Sequence, residues 1–281
     1  MKIGIFGGTG LDDPEIMTKK RELRFDRSKV QNGANGKNAD YGLPSDSLTT
    51  GIVQGVECGI LSRHGPGHSY SPSSVNYRAN LLLLDQFGCD AIIATYSVGS
   101  LREEIHPGHF VIMDQLIDRT QKRDLTYFDT KPSSWPGVCH VSFGEPYDKQ
   151  LRRLLIEGGK EMDFPIHETG TCIAIEGPRF STRAESLMYR QIGGHIIGMT
   201  QVPEAQLARE LNIPFCAVGM VTDWDAWRGE DSPVTQADVN KLLQSNKEKM
   251  IKFLKTVLPL LKSKANFPVR KRPGEGHMLS V

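Results

Sequence analysis

Short, almost uniformly apolar runs alternate with segments of helical spacing along most of the chain. Uniform apolar runs are typical of strands covered on both faces, whereas apolar positions three and four residues apart are typical of helices that bury one face. The strand-like runs are KIGIF, TTGIVQGVECGILSR, CDAIIATYSVGS, GHFVIMDQLID, TGTCIAIEG, HIIGM and FCAVGMV. The second run has Gly55 near its middle and is predicted to be a β-hairpin.

Between these runs lie the predicted helices SSVNYRANLLLLDQFG, YDKQLRRLLIEGGKEM, TRAESLMYRQIG and VPEAQLARELN. A last helix is predicted to begin at Thr235, with Asp238 three residues on as in a capping box. The alternation predicts an α/β fold, and the hairpin makes its sheet mixed. We therefore expect a single domain over residues 1–281, with a mixed, largely parallel central sheet flanked by helices. The basic segment VRKRPGEGH predicts a mobile C-terminal tail over residues 263–281.

Composition adds mainly exclusions. The chain has 281 residues and a formal net charge of +1, which disfavours nucleic acid or a membrane surface as the main partner. No run approaches the ~20 apolar residues of a membrane span, and the first apolar run is too short for a signal peptide. The five cysteines are scattered without zinc-site spacing. We expect a cytoplasmic protein, with the nucleus left open as a second location.

The segments with reactive or ligand-binding chemistry fall at the ends of predicted strands. In sheets of parallel strands, ligands bind outside the carboxyl ends of the strands. Six segments hold that position: GGTG, RHGPGH, TYSVGS, EGPRFS, GMTQVPE and TDWD. Together they predict one site.

Two of the six segments suit an anion. GGTG has neither the glycine spacing of a dinucleotide fingerprint nor a Walker lysine, but its backbone N–H groups and the Thr9 hydroxyl could hold an anion. Arg63 offers a planar guanidinium for bidentate phosphate contact, and His64 offers a further donor. Each has a simpler interpretation, with Thr9 as a turn cap and Arg63 as a surface charge.

Asp223 and Asp225 give the strongest local signal. Alternate residues of a strand share a face, so both carboxylates could point the same way. In a partly apolar pocket, two like charges raise the pKa of one group, which can then hold a proton near neutrality and act as a general acid. Hard cations prefer more than two oxygen ligands, and no third carboxylate lies at a comparable strand end, so a metal is disfavoured. A solvated loop is the remaining alternative.

In sequence order, eight segments resemble the methylthioadenosine-cleaving branch of the trimeric purine nucleoside phosphorylase family. They are IGIFGGTGLDDP, LSRHGPGH, VNYRAN, GSLREEIHPG, DQLIDRT, IEGPRFSTRAES, GMTQVPEAQLARE and TDWDAW. The resemblance implies a purine nucleoside phosphorylase-like fold, a homotrimer, and no metal or organic cofactor, with inorganic phosphate as co-substrate. The implied reaction is phosphorolysis of 5′-methylthioadenosine to adenine and 5-methylthioribose 1-phosphate.

The resemblance also implies roles for individual residues. Asp223 and Asp225 would be catalytic, Asp223 protonating N7 of the leaving purine and Asp225 accepting from its 6-amino group. The implied phosphate-binding residues are Thr9, Arg63, His64, Tyr96, Ser97 and Thr200. The implied nucleoside-binding residues are Phe180, Met199, Asp223, Asp225, His68 and His140, with His140 reaching the pocket from a neighbouring subunit.

The chain departs from the family pattern at two places. Tyr96 stands where the family usually has a small hydroxyl residue, and Gln236 and Asn240 are polar in the region that forms an apolar wall for the methylthio group. One alternative is therefore a purine nucleoside phosphorylase of broader specificity, acting on adenosine more readily than on inosine. A second is a nucleoside-binding protein without catalysis, which the intact proton donor and anion site disfavour.

Overall fold

The computed structural model describes residues 1–7, 16–30, 39–228 and 236–277, with residues 236–241 described by their backbone only. Within these ranges the strands β1 to β11 are Lys2–Gly7, Thr18–Leu23, Leu48–Val53, Val56–Ser62, Ala91–Ser100, Phe110–Ile112, Gln115–Arg119, Ile166–His167, Thr171–Ile175, Ile196–Gly198 and Phe215–Trp224. The helices α1 to α5 in the same ranges are Tyr77–Phe87, Lys149–Gly159, Arg183–Gln191, Gln201–Glu210 and Gln236–Lys264.

Strand β5 is the centre of the sheet. Its residues Ile92, Ile93 and Ala94 pair in parallel with both β1 and β11, so these two strands lie on opposite sides of β5. Further along, β10 pairs antiparallel with β5, and β9 and β7 follow beyond it. The order is β2-β3-β4-β1-β5-β10-β9-β7, with β6 and β8 attached through β11. The predicted mixed, largely parallel sheet flanked by helices is confirmed.

Helices cover both faces of this sheet. Ile92 and Ala94 of β5 belong to a buried cluster with α1 and α4, whereas Ala91 and Ile93 belong to a second cluster with α2 and α5. Because both faces are covered, successive residues of β5 are all buried, which explains why the central strands read as continuous apolar runs.

Several elements differ from those that the sequence predicted. GHFVIMDQLID is two strands, since β6 pairs with β11 and β7 pairs with β9. Strand β2 was not predicted, because its residues TKKREL are mostly exposed and carry no apolar pattern. Helix α1 begins at Tyr77 rather than at residue 73, because the Asn76 side chain accepts the N–H of Ala79 and caps the first turn.

The C-terminal residues contact the body of the protein. Residues 263 and 264 belong to α5, and Arg270 forms an ion pair with Asp85 and donates to the Cys89 carbonyl. The Gly274 N–H donates to the carbonyl of Glu210. Mobility of the tail stays a prediction, and these contacts argue against it up to residue 277. In the described part of the chain, no helix has both the length and the apolar character needed to cross a membrane.

Glu210, at the end of α4, is a buried carboxyl that links stability to pH. It is 3% exposed and accepts hydrogen bonds from Thr126 Oγ1 (2.6 Å) and from the Tyr127 N–H (2.8 Å). Burial raises the pKa of Glu210 to about 7. A carboxyl with a raised pKa in the folded chain stabilises the fold below its unfolded pKa of ~4.3. That contribution is lost as the pH rises through about 7.

We therefore predict that Glu210→Gln removes part of the pH dependence of the unfolding free energy. The amide can still accept the Tyr127 N–H and donate to Thr126, and it does not ionise. Relative to the variant, the wild-type protein should lose roughly 1–3 kcal/mol between about pH 5 and pH 8. Denaturant unfolding at each pH measures this difference, with exposed Glu161→Gln as the control. Parallel pH profiles for wild type and Glu210→Gln would contradict the assignment.

Candidate active site

A cavity of about 490 Å³ lies where β9 and β10 meet the second half of β5 and the end of β11. It brings together ten of the residues predicted from sequence: Arg63, His64, His68, Tyr96, Ser97, Phe180, Met199, Thr200, Asp223 and Asp225. Because β10 runs against β5, its carboxyl end comes back beside the middle of β5. The site residues thus lie near or directly after the carboxyl ends of β4, β5, β10 and β11 as expected, although β10 runs opposite to β5.

Two predicted site residues remain to be placed, Thr9 and His140. Thr9 lies outside the described residues. His140 is exposed, and its backbone N–H donates to the carbonyl of His277. Within this single chain His140 is therefore not a pocket residue, and its proposed contribution to a neighbouring subunit stays a prediction.

The two aspartates are placed by the end of β11. The register of β11 against β5 shifts between Val221 and Asp223, and Asp225 follows directly after the strand. Gly99 of β5 makes this approach possible, because a Cβ there would lie 3.0 Å from Asp223 Oδ2 and 3.4 Å from the Cβ of Asp225. The bulge and the glycine together, more than simple strand alternation, bring both carboxylates to the same pocket.

Burial dominates the electrostatics of this pair. It raises the pKa of Asp223 to about 6, with a further increase from the neighbouring Asp225 charge, against the opposing hydrogen bond from Thr222 Oγ1 (2.7 Å). Burial also raises the pKa of Asp225, which is 5% exposed. Asp225 Oδ2 is buried and makes no hydrogen bond of normal geometry to the described residues, although the nearby Ser186 and Ser181 hydroxyls act to lower the pKa of Asp225 against burial. The pair can thus hold a proton near neutrality and offers an acceptor to a ligand.

Two tryptophans hold the Asp225 turn without lining the cavity. The Trp227 indole N–H donates to the Ser100 carbonyl (2.8 Å), which also accepts the Asp225 N–H (3.0 Å). The backbone N–H of Trp227 donates to Ser186 Oγ (3.1 Å). Arg190 lies 3.7 Å above the Trp227 ring, and Trp224 meets that ring edge-on at 5.8 Å. These contacts fix the conformation of the turn.

Arg63 has a different bidentate partner from the one predicted. It is 1% exposed, and its Nε and Nη2 donate to the two carboxylate oxygens of Glu204 at 2.5 and 3.0 Å, while Nη1 donates to the Thr95 carbonyl (3.0 Å). Burial acts to lower the pKa of Arg63, but the Glu204 charge outweighs it and the pKa is raised. The bidentate partner of Arg63 is therefore a protein carboxylate, and two of its five N–H groups remain for a ligand.

His64 is arranged as a neutral imidazole. Its Nδ1 lies 2.8 Å from the Tyr70 carbonyl, which can only accept, so Nδ1 carries a proton. Burial, followed by the nearby Arg63 charge, lowers the pKa of His64 to about 4. The His68 ring stacks on it, with ring centroids 4.1 Å apart. The second nitrogen of His64 is then an acceptor unless an arriving anion raises its pKa.

Part of the cavity lining is apolar. Met199, Ile197, Ile175 and Phe180 line it. Gly177 has φ +68°, and a Cβ there would lie 2.5 Å from Met199 Sδ, so a side chain at this position would displace the methionine. Phe180 is 53% exposed at the rim. This side suits a flat or hydrophobic ligand group.

Sequence reasoning missed several residues of the site. Ser181 directly follows Phe180 in the EGPRFS segment and lines the cavity, where its buried hydroxyl lies close enough to Asp225 to lower the pKa of that carboxyl, so its position in the segment was an available signal. Leu243 of α5 also lines the cavity. Glu204 could not be found from local pattern, because its partner Arg63 is 141 residues away in sequence.

Comparison with known proteins places these features in context. Residues 2–259 match the phosphorylase superfamily. S-methyl-5′-thioadenosine phosphorylase of Danio rerio is 43% identical over 259 residues, which is 92% of this chain and 88% of the relative. The enzyme of the same name from Drosophila melanogaster is 42% identical over 254 residues, covering 90% and 84%.

Solved structures give the same result. Methylthioadenosine phosphorylase from Schistosoma mansoni in complex with adenine superposes with a TM-score of 0.83 at 35% identity, covering 94% of this chain and 93% of that one. A mutant adenosine/methylthioadenosine phosphorylase from the same organism, in complex with methylthioadenosine, superposes with a TM-score of 0.81 at 35% identity, covering 94% and 92%.

Proposed function

This chain belongs to the phosphorylase superfamily, and we propose that it catalyses phosphorolysis of 5′-methylthioadenosine to adenine and 5-methylthioribose 1-phosphate. The observation that carries the proposal is the pocket itself, whose lining combines two buried carboxylates, the Arg63 guanidinium, the hydroxyl residues Ser97 and Thr200, and apolar side chains. Inorganic phosphate is the co-substrate, and the mechanism uses no metal or organic cofactor.

The aspartate end suits an aminopurine. An ionised carboxylate only accepts hydrogen bonds, so the buried Asp225 Oδ2 fits the exocyclic amino group of adenine. A 6-oxopurine presents an acceptor at that position and would leave two acceptors facing each other. Asp223, with a pKa raised to about 6, can hold a proton for N7 of the base.

The reaction then has a simple balance of bonds. A phosphate oxygen forms a bond to C1′ as the bond from C1′ to N9 breaks and its electron pair moves into the purine. The proton from Asp223 neutralises the charge that develops on the leaving base. Phosphate is held by hydrogen-bond donors, with the hydroxyls of Ser97 and Thr200 and the remaining N–H groups of Arg63 as candidates. Thr200 precedes α4 without capping it by its side chain, which leaves its hydroxyl for this purpose.

We predict that the purified protein releases adenine from 5′-methylthioadenosine only when phosphate is present. Adenosine should be cleaved less efficiently, and inosine least. A panel of the three nucleosides, each with and without phosphate, measures this directly. Release of adenine at the same rate without phosphate would indicate a hydrolase, and no release under any condition would favour a nucleoside-binding protein.

A matched variant tests whether Asp225 recognises the 6-substituent of the purine. Asp225→Asn can rotate its amide and donate to an oxo group, so the ratio of kcat/KM for inosine to that for methylthioadenosine should rise roughly tenfold or more. Exposed Asp163→Asn serves as the control. An unchanged ratio in Asp225→Asn would remove Asp225 from base recognition.

We also propose that the protein is a homotrimer whose subunits share the pocket rim. Beside Phe180, helix α3 and the residue after it expose Leu187, Met188 and Ile192 at 45%, 39% and 48%. An apolar surface of this kind is typical of an interface between subunits. His140 stays the candidate for a residue that enters the pocket from the neighbour.

Light scattering should accordingly give a mass of about three times 31.2 kDa. Leu187→Lys places a charge in the proposed interface and should lower both the mass and the activity. Val269→Lys, at a residue that is 95% exposed on the tail, should leave both unchanged. A fully active wild-type monomer would contradict the trimer and the shared rim.

A further inference from the structure

Tyr96 lines the cavity but does not offer its hydroxyl to it. The residue is 2% exposed, and its hydroxyl donates to Glu204 Oε2 at 2.5 Å. The guanidinium carbon of Arg63 lies 4.4 Å from the centroid of the Tyr96 ring and 5.3 Å from the centroid of the Phe6 ring. The Tyr96 side chain is therefore engaged by protein groups at both its ring and its hydroxyl.

Glu204 connects Tyr96 to Arg63. The carboxylate is fully buried and accepts three hydrogen bonds, two from Arg63 and one from Tyr96. A buried carboxylate that lost one of these donors would be less well satisfied, and the paired guanidinium would be held less firmly. The Tyr96 hydroxyl thus contributes to the position of Arg63 without contacting a ligand.

Ser97, the next residue of β5, is in the opposite situation. Its hydroxyl is buried, lines the same cavity, and has no hydrogen-bond partner within the described part of the chain. Buried hydroxyls are almost always hydrogen-bonded, so an unsatisfied one in a pocket indicates a bond made to a ligand.

From these contacts we infer that Tyr96 is a positioning residue that holds Arg63 through Glu204, while the Ser97 hydroxyl, already a candidate phosphate donor, is the hydroxyl of this strand that contacts the ligand. The inference rests on the proposed function in that the ligand is taken to be phosphate. It corrects the expectation that Tyr96 contacts phosphate itself. It also explains how the strand accommodates a bulky residue at position 96, since Glu204 holds its hydroxyl and the Arg63 guanidinium lies over its ring.

The test compares Ser97→Ala with Tyr96→Phe, which keeps the ring over Arg63 and removes only the hydroxyl. Binding of inorganic phosphate is measured by calorimetry, the melting temperature by scanning calorimetry, and the state of Arg63 by the NMR signal of its Nε–H. Ser97→Ala should weaken phosphate about tenfold or more, with the melting temperature and the Arg63 signal unchanged. Tyr96→Phe should weaken phosphate only about threefold, lower the melting temperature by roughly 2–6 °C, and shift the Arg63 signal.

Two results would overturn the inference. If Tyr96→Phe weakens phosphate binding as much as Ser97→Ala does and leaves the Arg63 signal unchanged, the tyrosine hydroxyl itself binds phosphate. If Ser97→Ala binds phosphate as the wild type does, Ser97 has no such role. Because phosphate binding is measured without a nucleoside, failure of the proposed reaction would show separately, as phosphate binding without adenine release.

Discussion

Two carboxylates are buried side by side at the end of β11, and the remaining features of the pocket are organised around their desolvation. Removing a carboxylate from water disfavours its charged form, which is why burial raises the pKa of both Asp223 and Asp225. The pair is tolerable because one member can keep a proton and the carboxylate of the other lines the cavity. Gly99 leaves the space for this arrangement, and the hydrogen bonds of Trp227 keep the Asp225 turn from relaxing into solvent.

Arg63 presents the opposite problem, a buried positive charge. A single buried guanidinium would be unstable, and Glu204 compensates its charge with two hydrogen bonds. The Arg63 charge is compensated by Glu204, and His64 is neutral. Hydrogen-bond geometry therefore matters more in this part of the pocket than net positive charge. In the proposed reaction, such a site binds phosphate through oriented donors and avoids an excess of cationic charge beside the developing oxocarbenium character of the ribosyl group.

Local signals in the sequence predicted the layered α/β architecture and four of the pocket residues, Arg63, His64, Asp223 and Asp225. The other six predicted residues that line the pocket were implied by the resemblance to a known family. Buried strands produce apolar runs, and chemically distinctive residues interrupt those runs where strands end. Other features depend on contacts between distant parts of the chain. The pairing of Glu204 with Arg63, the split of β6 from β7 and the exposed strand β2 are examples, and no local pattern encodes their partners. For the same reason, the sequence suggested a phosphate contact for Tyr96, whose hydroxyl the structure engages with Glu204.

The central claim is that a proton held by Asp223 is delivered to the leaving base, and the pH dependence of kcat/KM for 5′-methylthioadenosine tests it most directly. At saturating phosphate, wild-type kcat/KM for the nucleoside should fall as the pH rises through about 6, where Asp223 loses its proton before the nucleoside binds. Asp223→Asn should lower kcat/KM by about 10²-fold or more and remove that fall, since the amide has no proton to lose. An Asp223→Asn variant with the wild-type pH profile and near wild-type turnover would contradict the account.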